Sequence, residues 1–450
     1  MDLLEPVTQP YAWGSHTAIA ELQGRPAPTA RPEAELWMGA HPSAPSGVAR
    51  PGASTTLDAV IAADPAGELG PAAAARFGGR LPFLLKVLAA DEALSIQVHP
   101  SRGQAEAGYR AETERGLAPG DKSRNYVDDW PKPELLCALT RFEILAGMRT
   151  TADAAALLRA LAVGELAPLA AELAGAADPA ALTRALGTIL TWPAAGRGAL
   201  IAGVVTACER IAARGGEYAA TAAVTAQIAR DHPGDLGVVA SLLLRYGVLQ
   251  PGEAVFMPAG VPHSYLRGTG IELLANSDNV VRAGLTAKHI DVPELLRLID
   301  PAAAVPVIEP RPVGGGVSVY DSPAPEFRLY RAGLGPGEVT LPGTGGARIV
   351  LCTEGVGELR AGSAALKVAK GESCYLSAAD GTVTASGPAT LFIAESGINL
   401  GRPRAPPGKE LRVMRLQKHM QMLIAFKRAH LIHGNLLVLR LVTAKPDELA

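Results

Sequence analysis

The sequence lacks what a membrane-bound or exported chain needs. No run approaches the ~18 uninterrupted apolar residues of a bilayer-spanning helix, so no membrane span is expected. The opening MDLLEPVTQPYAWGS has no basic stretch followed by an apolar one, so no secretory leader is expected. Cysteine is scarce: four in 450 residues, Cys137, Cys208, Cys352 and Cys374, far apart and without a CxxC pair. They read as reduced, mostly buried thiols of a cytoplasmic protein rather than as a disulfide framework. An excess of either charge is also missing, since the formal net charge is only -2. That balance conceals two unlike parts. From Arg402 onward there are 10 Lys/Arg against 3 Asp/Glu, leaving 32 against 41 in the acidic body before it. An acidic body argues against a nucleic-acid footprint over most of the molecule.

What is present divides into distinct textures. Residues 1–148 are rich in Pro and Gly around short apolar runs. There Leu81–Leu88 (LPFLLKVL) and Leu94–Val98 (LSIQV) read as buried strands. Residues 149–244 are dense in Ala and Leu at helical spacing, as over Ala154–Val163 and Leu166–Leu173. Thr150 or Thr151 and Asp178 stand where helix caps belong. This block is expected to be a small helical bundle, a structural insert or lid without chemistry of its own. Strand texture returns over 245–304, with short runs at Gly252–Pro258 and Ile271–Ala275, then a loop and helix over Leu285–Asp300. Residues 305–400 are again many short strands with turn glycines. The length suits two or three domains. The expected fold is mainly β with an α-helical insert: two jelly-roll β-barrels plus a helical domain. The first barrel is split between 1–148 and 245–304, the second occupies 305–400, and 401–450 is a basic extension.

One internal repeat is informative. Gly252-Glu253-Ala-Val-Phe-Met-Pro258-Ala-Gly260-Val-Pro-His263 corresponds, at a constant offset, to Gly371-Glu372-Ser-Cys-Tyr-Leu-Ser377-Ala-Ala379-Asp-Gly-Thr382. The first copy keeps a histidine where the second has a threonine, so two related barrels are expected, only one with a site. The spacing Gly-x5-Pro-x-Gly-x2-His resembles the second motif of cupins, small barrels that often hold a metal. Pro258 and Gly260 make a tight turn, and His263 opens the next strand pointing inward. The cupin pattern continues to an Asn where this chain has Arg267.

A metal needs further ligands. In Ser95-Ile96-Gln97-Val98-His99, alternate residues share a strand face, so Ser95, Gln97 and His99 point the same way. Glu134 follows Lys132-Pro133 at the head of an apolar run; alone it would read as a solvated strand end. Gln97, His99, Glu134 and His263 form a mixed nitrogen and oxygen set with one negative charge. Zn²⁺ accepts such donors, and leaving its charge largely uncompensated suits a Lewis acid.

The chain resembles the type I phosphomannose isomerases (mannose-6-phosphate isomerases), a zinc-dependent cupin family. The resemblance runs through Tyr11-Ala-Trp13-Gly14-Ser15, Glu35-Leu-Trp37-Met-Gly39-Ala-His41-Pro42, Leu81–Leu88 and Ser95–Pro100. It continues through Arg124-Asn125-Tyr126, Lys132–Leu135, Pro258–Leu266 and Ser277–Lys288, so it spans residues 11–288. Residues 305–398 match only in texture. The resemblance implies one Zn²⁺ per chain on Gln97, His99, Glu134 and His263. It places the family's active-site arginine on Arg282, and further active-site positions on Ser95, Lys132, Tyr265, Glu272 and Lys288. One departure is Trp130-Pro131, where many relatives have Asn-His.

The implied reaction interconverts mannose 6-phosphate and fructose 6-phosphate through an enediol. Arg282, Lys288 and Lys132 are the cations available to meet a phosphate. Glu272 is the most plausible carboxylate to take the C2 proton, since burial beside an apolar strand would raise its pKa; a Lys or His remains an alternative. Tyr265 is expected to line the pocket, and His41 and His289 to be structural. The competing reading is a non-catalytic sugar-phosphate-binding cupin; an iron-dependent oxygenase fits Gln97 poorly. The expected partner is a small sugar phosphate, with neither nucleic acid nor membrane, and the chain is expected to act as a monomer. The extension carries a basic stretch over Leu411–Ala429 that could form an amphipathic helix for a partner or membrane surface. Its plainer reading is a dispensable tail, which the resemblance does not cover.

Overall fold

The structure is a computed structural model that describes residues 1–50, 53–118 and 120–398. The basic extension, with the helix expected over 411–429, lies outside the described residues. The fold class is as expected: two antiparallel β units and one helical block.

The helical block runs from Thr151–Leu161 to Gly237–Ala240 and buries its leucine stripes in one core with Leu157, Leu173, Leu186 and Val204. Thr150 caps the first helix by accepting from the Asp153 N–H, and Asp178 accepts from the Ala180 N–H at the start of Ala180–Leu190. Among the described residues no single helix is long and apolar enough to cross a membrane. The four cysteines are free and buried.

The site-bearing sheet centres on the strand His263–Ala275. It pairs with Phe83–Ala90 on one side and Glu134–Ala138 on the other. The sequence suggests a strand opening at His263 and a short run of its own at Ile271–Ala275; the structure joins them in one strand through Gly268 and Gly270. A Cβ at Gly268, where φ is +132°, would lie 2.8 Å from the Arg141 carbonyl oxygen. The glycines therefore mark a close approach under Phe142, not a turn.

The repeat is real in three dimensions. Ala254–Met257 and Ser373–Leu376 are both strands, entered by Gly252 and Gly371 at φ +91° and +83°. Glu253 accepts from the Gln250 N–H, and Glu372 from the Ala369 N–H, so the same turn is built twice. The sheets do not follow the linear division at residues 148, 244 and 304. Asp2–Glu5 pairs with Ser373–Leu376, and Gly47–Arg50 and Ala53–Thr56 extend that second sheet. Val307–Ile308 pairs back onto Ala254–Met257. Both are strand pairings between segments remote in sequence, each covering an otherwise open edge.

Candidate metal centre and adjoining cavity

The alternation of Ile96–Val98 decides what faces the site. Ile96 and Val98 are fully buried in the core behind the sheet, which turns Ser95 and Gln97 toward a cavity of about 410 Å³. His99 follows at the strand end. The turn after Met257 is held against it, because the Gly260 N–H donates to the His99 carbonyl and Gly260 sits at φ +81°. His263 then opens its strand with Cα partners Gln97 and Ala146. Glu134 begins the neighbouring strand opposite Met257 and Leu274.

These placements converge. Among the described residues, donor atoms of His99, Glu134 and His263 lie within 4.8 Å of one another, all buried. The histidine tautomers follow from their partners. His99 Nδ1 is 2.8 Å from the Asn279 carbonyl oxygen, and His263 Nδ1 is 2.9 Å from that of Val261. A carbonyl only accepts, so each Nδ1 carries the proton and each Nε2 a lone pair. Burial pushes the His99 pKa down to about 4, which keeps its ring neutral. Burial alone would raise the Glu134 carboxyl; the Lys132 ammonium 3.5 Å away opposes this, and the carboxyl is held well below the usual range, so it is ionised. The two Nε2 lone pairs therefore face carboxylate oxygens at 3.1 and 3.3 Å, and His99 Nε2 has no hydrogen-bond partner. Acceptors aimed at acceptors in a buried site call for a cation between them. Gln97 Nε2 lies 3.4 Å from His263 Nε2; with the amide turned, its oxygen is a fourth donor. This donor set fits Zn²⁺.

The cavity beside this centre is lined by four cations and their counter-charges. Lys132 Nζ lies 3.5 Å from Glu134. Lys86 stands in an apolar strand opposite Glu272, and its Nζ is 3.1 Å from Glu272 and 3.5 Å from Glu35. It also sits 4.8 Å from the centre of the Trp37 ring. Burial, opposed by Lys86 and reinforced by the Glu134 and Glu35 charges, raises the Glu272 pKa to about 7. Arg282 and Lys288 differ from the two paired lysines: among the described residues neither has an ion-pair partner within 4.0 Å. Burial lowers the pKa of both, and each is aimed into the cavity unneutralised.

Of the residues singled out from sequence, Ser95, Gln97, Lys132, Glu134, Glu272, Arg282 and Lys288 line this cavity. Tyr265 does not: it is fully buried behind Glu134, with its hydroxyl 3.4 Å from Glu134 Oε2 and its ring edge-on to Phe142. Trp130 is also away from the cavity, buried beside Phe77 with the Arg80 guanidinium 4.3 Å over its indole. His41 is buried and bonded to Ser43, with Nε2 3.4 Å from Asp278. Sequence reasoning passed over Lys86, Glu35, Asp278 and His232, all on the cavity wall. A lysine inside the apolar run LPFLLKVL is one signal, and Glu35 and Asp278, like Lys86, lie in the blocks that carry the family resemblance.

Comparison with known proteins agrees with this geometry. Residues 1–151 match the family model of the type I phosphomannose isomerase catalytic domain. The chain is 37% identical over 382 residues to the mannose-6-phosphate isomerase of Escherichia coli K12, covering 84% of this chain and 95% of that one. It is 31% identical over 366 residues to the human mannose-6-phosphate isomerase, covering 75% and 82%. A crystal structure of a zinc-bound mannose 6-phosphate isomerase superposes with a TM-score of 0.80 at 35% identity, over 88% of this chain and 99% of that one.

Proposed function

The chain belongs to the type I phosphomannose isomerase family, and on that premise we propose that it interconverts mannose 6-phosphate and fructose 6-phosphate with one bound Zn²⁺. The observation that carries this reading is the buried convergence of two imidazole lone pairs on an ionised carboxylate beside a cationic cavity. Gln97, His99, Glu134 and His263 would hold the metal. When bound, zinc supplies a Lewis acid that polarises the substrate's oxygens.

The chain's own groups divide the remaining work. Glu272, with a pKa near neutrality, is partly ionised at pH 7 and takes the C2 proton. The C1 carbonyl oxygen gains a proton as C2 loses one, giving the enediol. Glu272 then returns its proton to C1 while the C2 hydroxyl releases its own to solvent, replacing the one that solvent gave the C1 oxygen, and the ketose results. Lys86, 3.1 Å away, fixes the carboxylate's orientation. Arg282 and Lys288 meet the phosphate; Arg offers a fork for two oxygens and Lys a point charge. The proposed enzyme is a cytoplasmic monomer.

Arg282→Gln is expected to raise KM for mannose 6-phosphate roughly 10- to 100-fold with zinc content unchanged, as read by initial rates and metal analysis. The reaction itself is tested by following fructose 6-phosphate formation in D₂O with metal-saturated protein. Turnover with solvent deuterium entering the product supports the isomerase. Tight binding of mannose 6-phosphate without turnover would point to the non-catalytic sugar-phosphate-binding alternative.

A further inference from the structure

We infer that Asp235, in the helical insert, is a positioning residue for the phosphate end of the cavity. This rests on the function proposed above. The segment after Arg282 turns sharply into the cavity wall. Gly284 has φ +153° and Leu285 φ +57°, a left-handed conformation that a leucine adopts only when its surroundings impose it. Leu285, Thr286 and Lys288 all line the cavity beside Arg282.

The helical insert supplies the imposition. Asp235 Oδ2 accepts from the Thr286 N–H at 3.0 Å, and Oδ1 accepts from the Gly237 N–H at 2.6 Å. One carboxylate thus clamps the start of the helix Gly237–Ala240 to the strained turn. The two backbones touch: a Cβ on Gly237 would lie 2.6 Å from the Leu285 nitrogen, and one on Gly284 would lie 2.7 Å from the Gly237 Cα. The clamp reaches Lys288 in one further step, because Thr286 Oγ1 accepts from the Lys288 N–H at 3.1 Å. Three residues before Asp235, His232 lines the same cavity and bonds through Nε2 to the Ala93 carbonyl, at 2.8 Å, just ahead of Ser95. The insert therefore holds the cavity at two points. Far from being without a part in the chemistry, it sets where the two unneutralised cations stand.

Asp235→Asn tests this, since an amide keeps the shape but can accept from only one of the two N–H groups. KM for mannose 6-phosphate should rise about tenfold with kcat nearly unchanged. The inhibition constant of inorganic phosphate should rise in parallel, while that of unphosphorylated mannose stays put. Zinc content and the melting curve report that the variant is folded; if it is not, Asp235→Glu carries the same measurements. Unchanged KM and phosphate inhibition overturn the inference. So does an equal loss toward phosphate and mannose, which marks a purely structural role. Absence of isomerase turnover in the unmodified protein would instead overturn the proposed function.

Discussion

His263→Ala is expected to leave a folded protein without bound zinc and to cut kcat/KM for mannose 6-phosphate by roughly three orders of magnitude, or about 4 kcal/mol of transition-state stabilisation. The size follows from what the side chain does. His263 is fully buried, and its proton is committed to the Val261 carbonyl, so its Nε2 lone pair, 3.3 Å from Glu134, has no task except to ligate a metal. Removing it leaves three donors, of which Gln97 offers only a neutral amide, so His99 and Glu134 are the two strong ligands left to hold Zn²⁺ against a chelator. Metal analysis and initial rates on the same preparation check both halves. Retention of zinc and of full activity would remove His263 from the ligand set.

The second large effect falls on proton transfer. Glu272→Gln should lower kcat by about 10²- to 10⁴-fold while zinc content and KM change little. The glutamine keeps a hydrogen-bond acceptor beside Lys86 but takes no proton. The pH profile gives an independent readout. A base works when ionised, so activity should rise with pH as Glu272 deprotonates. With Glu134 unneutralised the carboxyl is pushed up to about 7. Bound Zn²⁺ offsets the Glu134 charge, so the acid limb of the loaded enzyme should lie at or below that value. Loss of this limb in Glu272→Gln supports the assignment; an unchanged limb and rate assign the proton to another group.

How much was legible before the fold was known depended on the range of each interaction. Gln97 and His99 were legible because strand alternation is a local rule, and the apolar Ile96 and Val98 fix which face is buried. His263 was legible from its turn, since Pro258 and Gly260 leave few backbone paths. Glu134 was not legible alone, because a carboxylate at a strand end is ordinarily solvated; the resemblance singled it out. Tyr265 shows where the local rule stops. Two residues after His263, it shares that face, yet its ring lies behind Glu134 and edge-on to Phe142 instead of on the cavity wall. The pairing of Asp2–Glu5 with Ser373–Leu376 could not be read, since its partners are remote in sequence. The same holds for Asp235, whose partner N–H on Thr286 belongs to a different texture of the chain. Texture marked off the helical block but gave no sign that it reaches into the site.

The central claim is that turnover depends on one metal ion held by these four side chains. It is tested most directly by stripping full-length protein with a chelator and titrating Zn²⁺ back while following conversion of mannose 6-phosphate to fructose 6-phosphate. Activity should be absent in the stripped protein, rise in proportion to bound zinc and level off at one ion per chain. Full turnover by the stripped protein, or zinc binding that restores none, would contradict it.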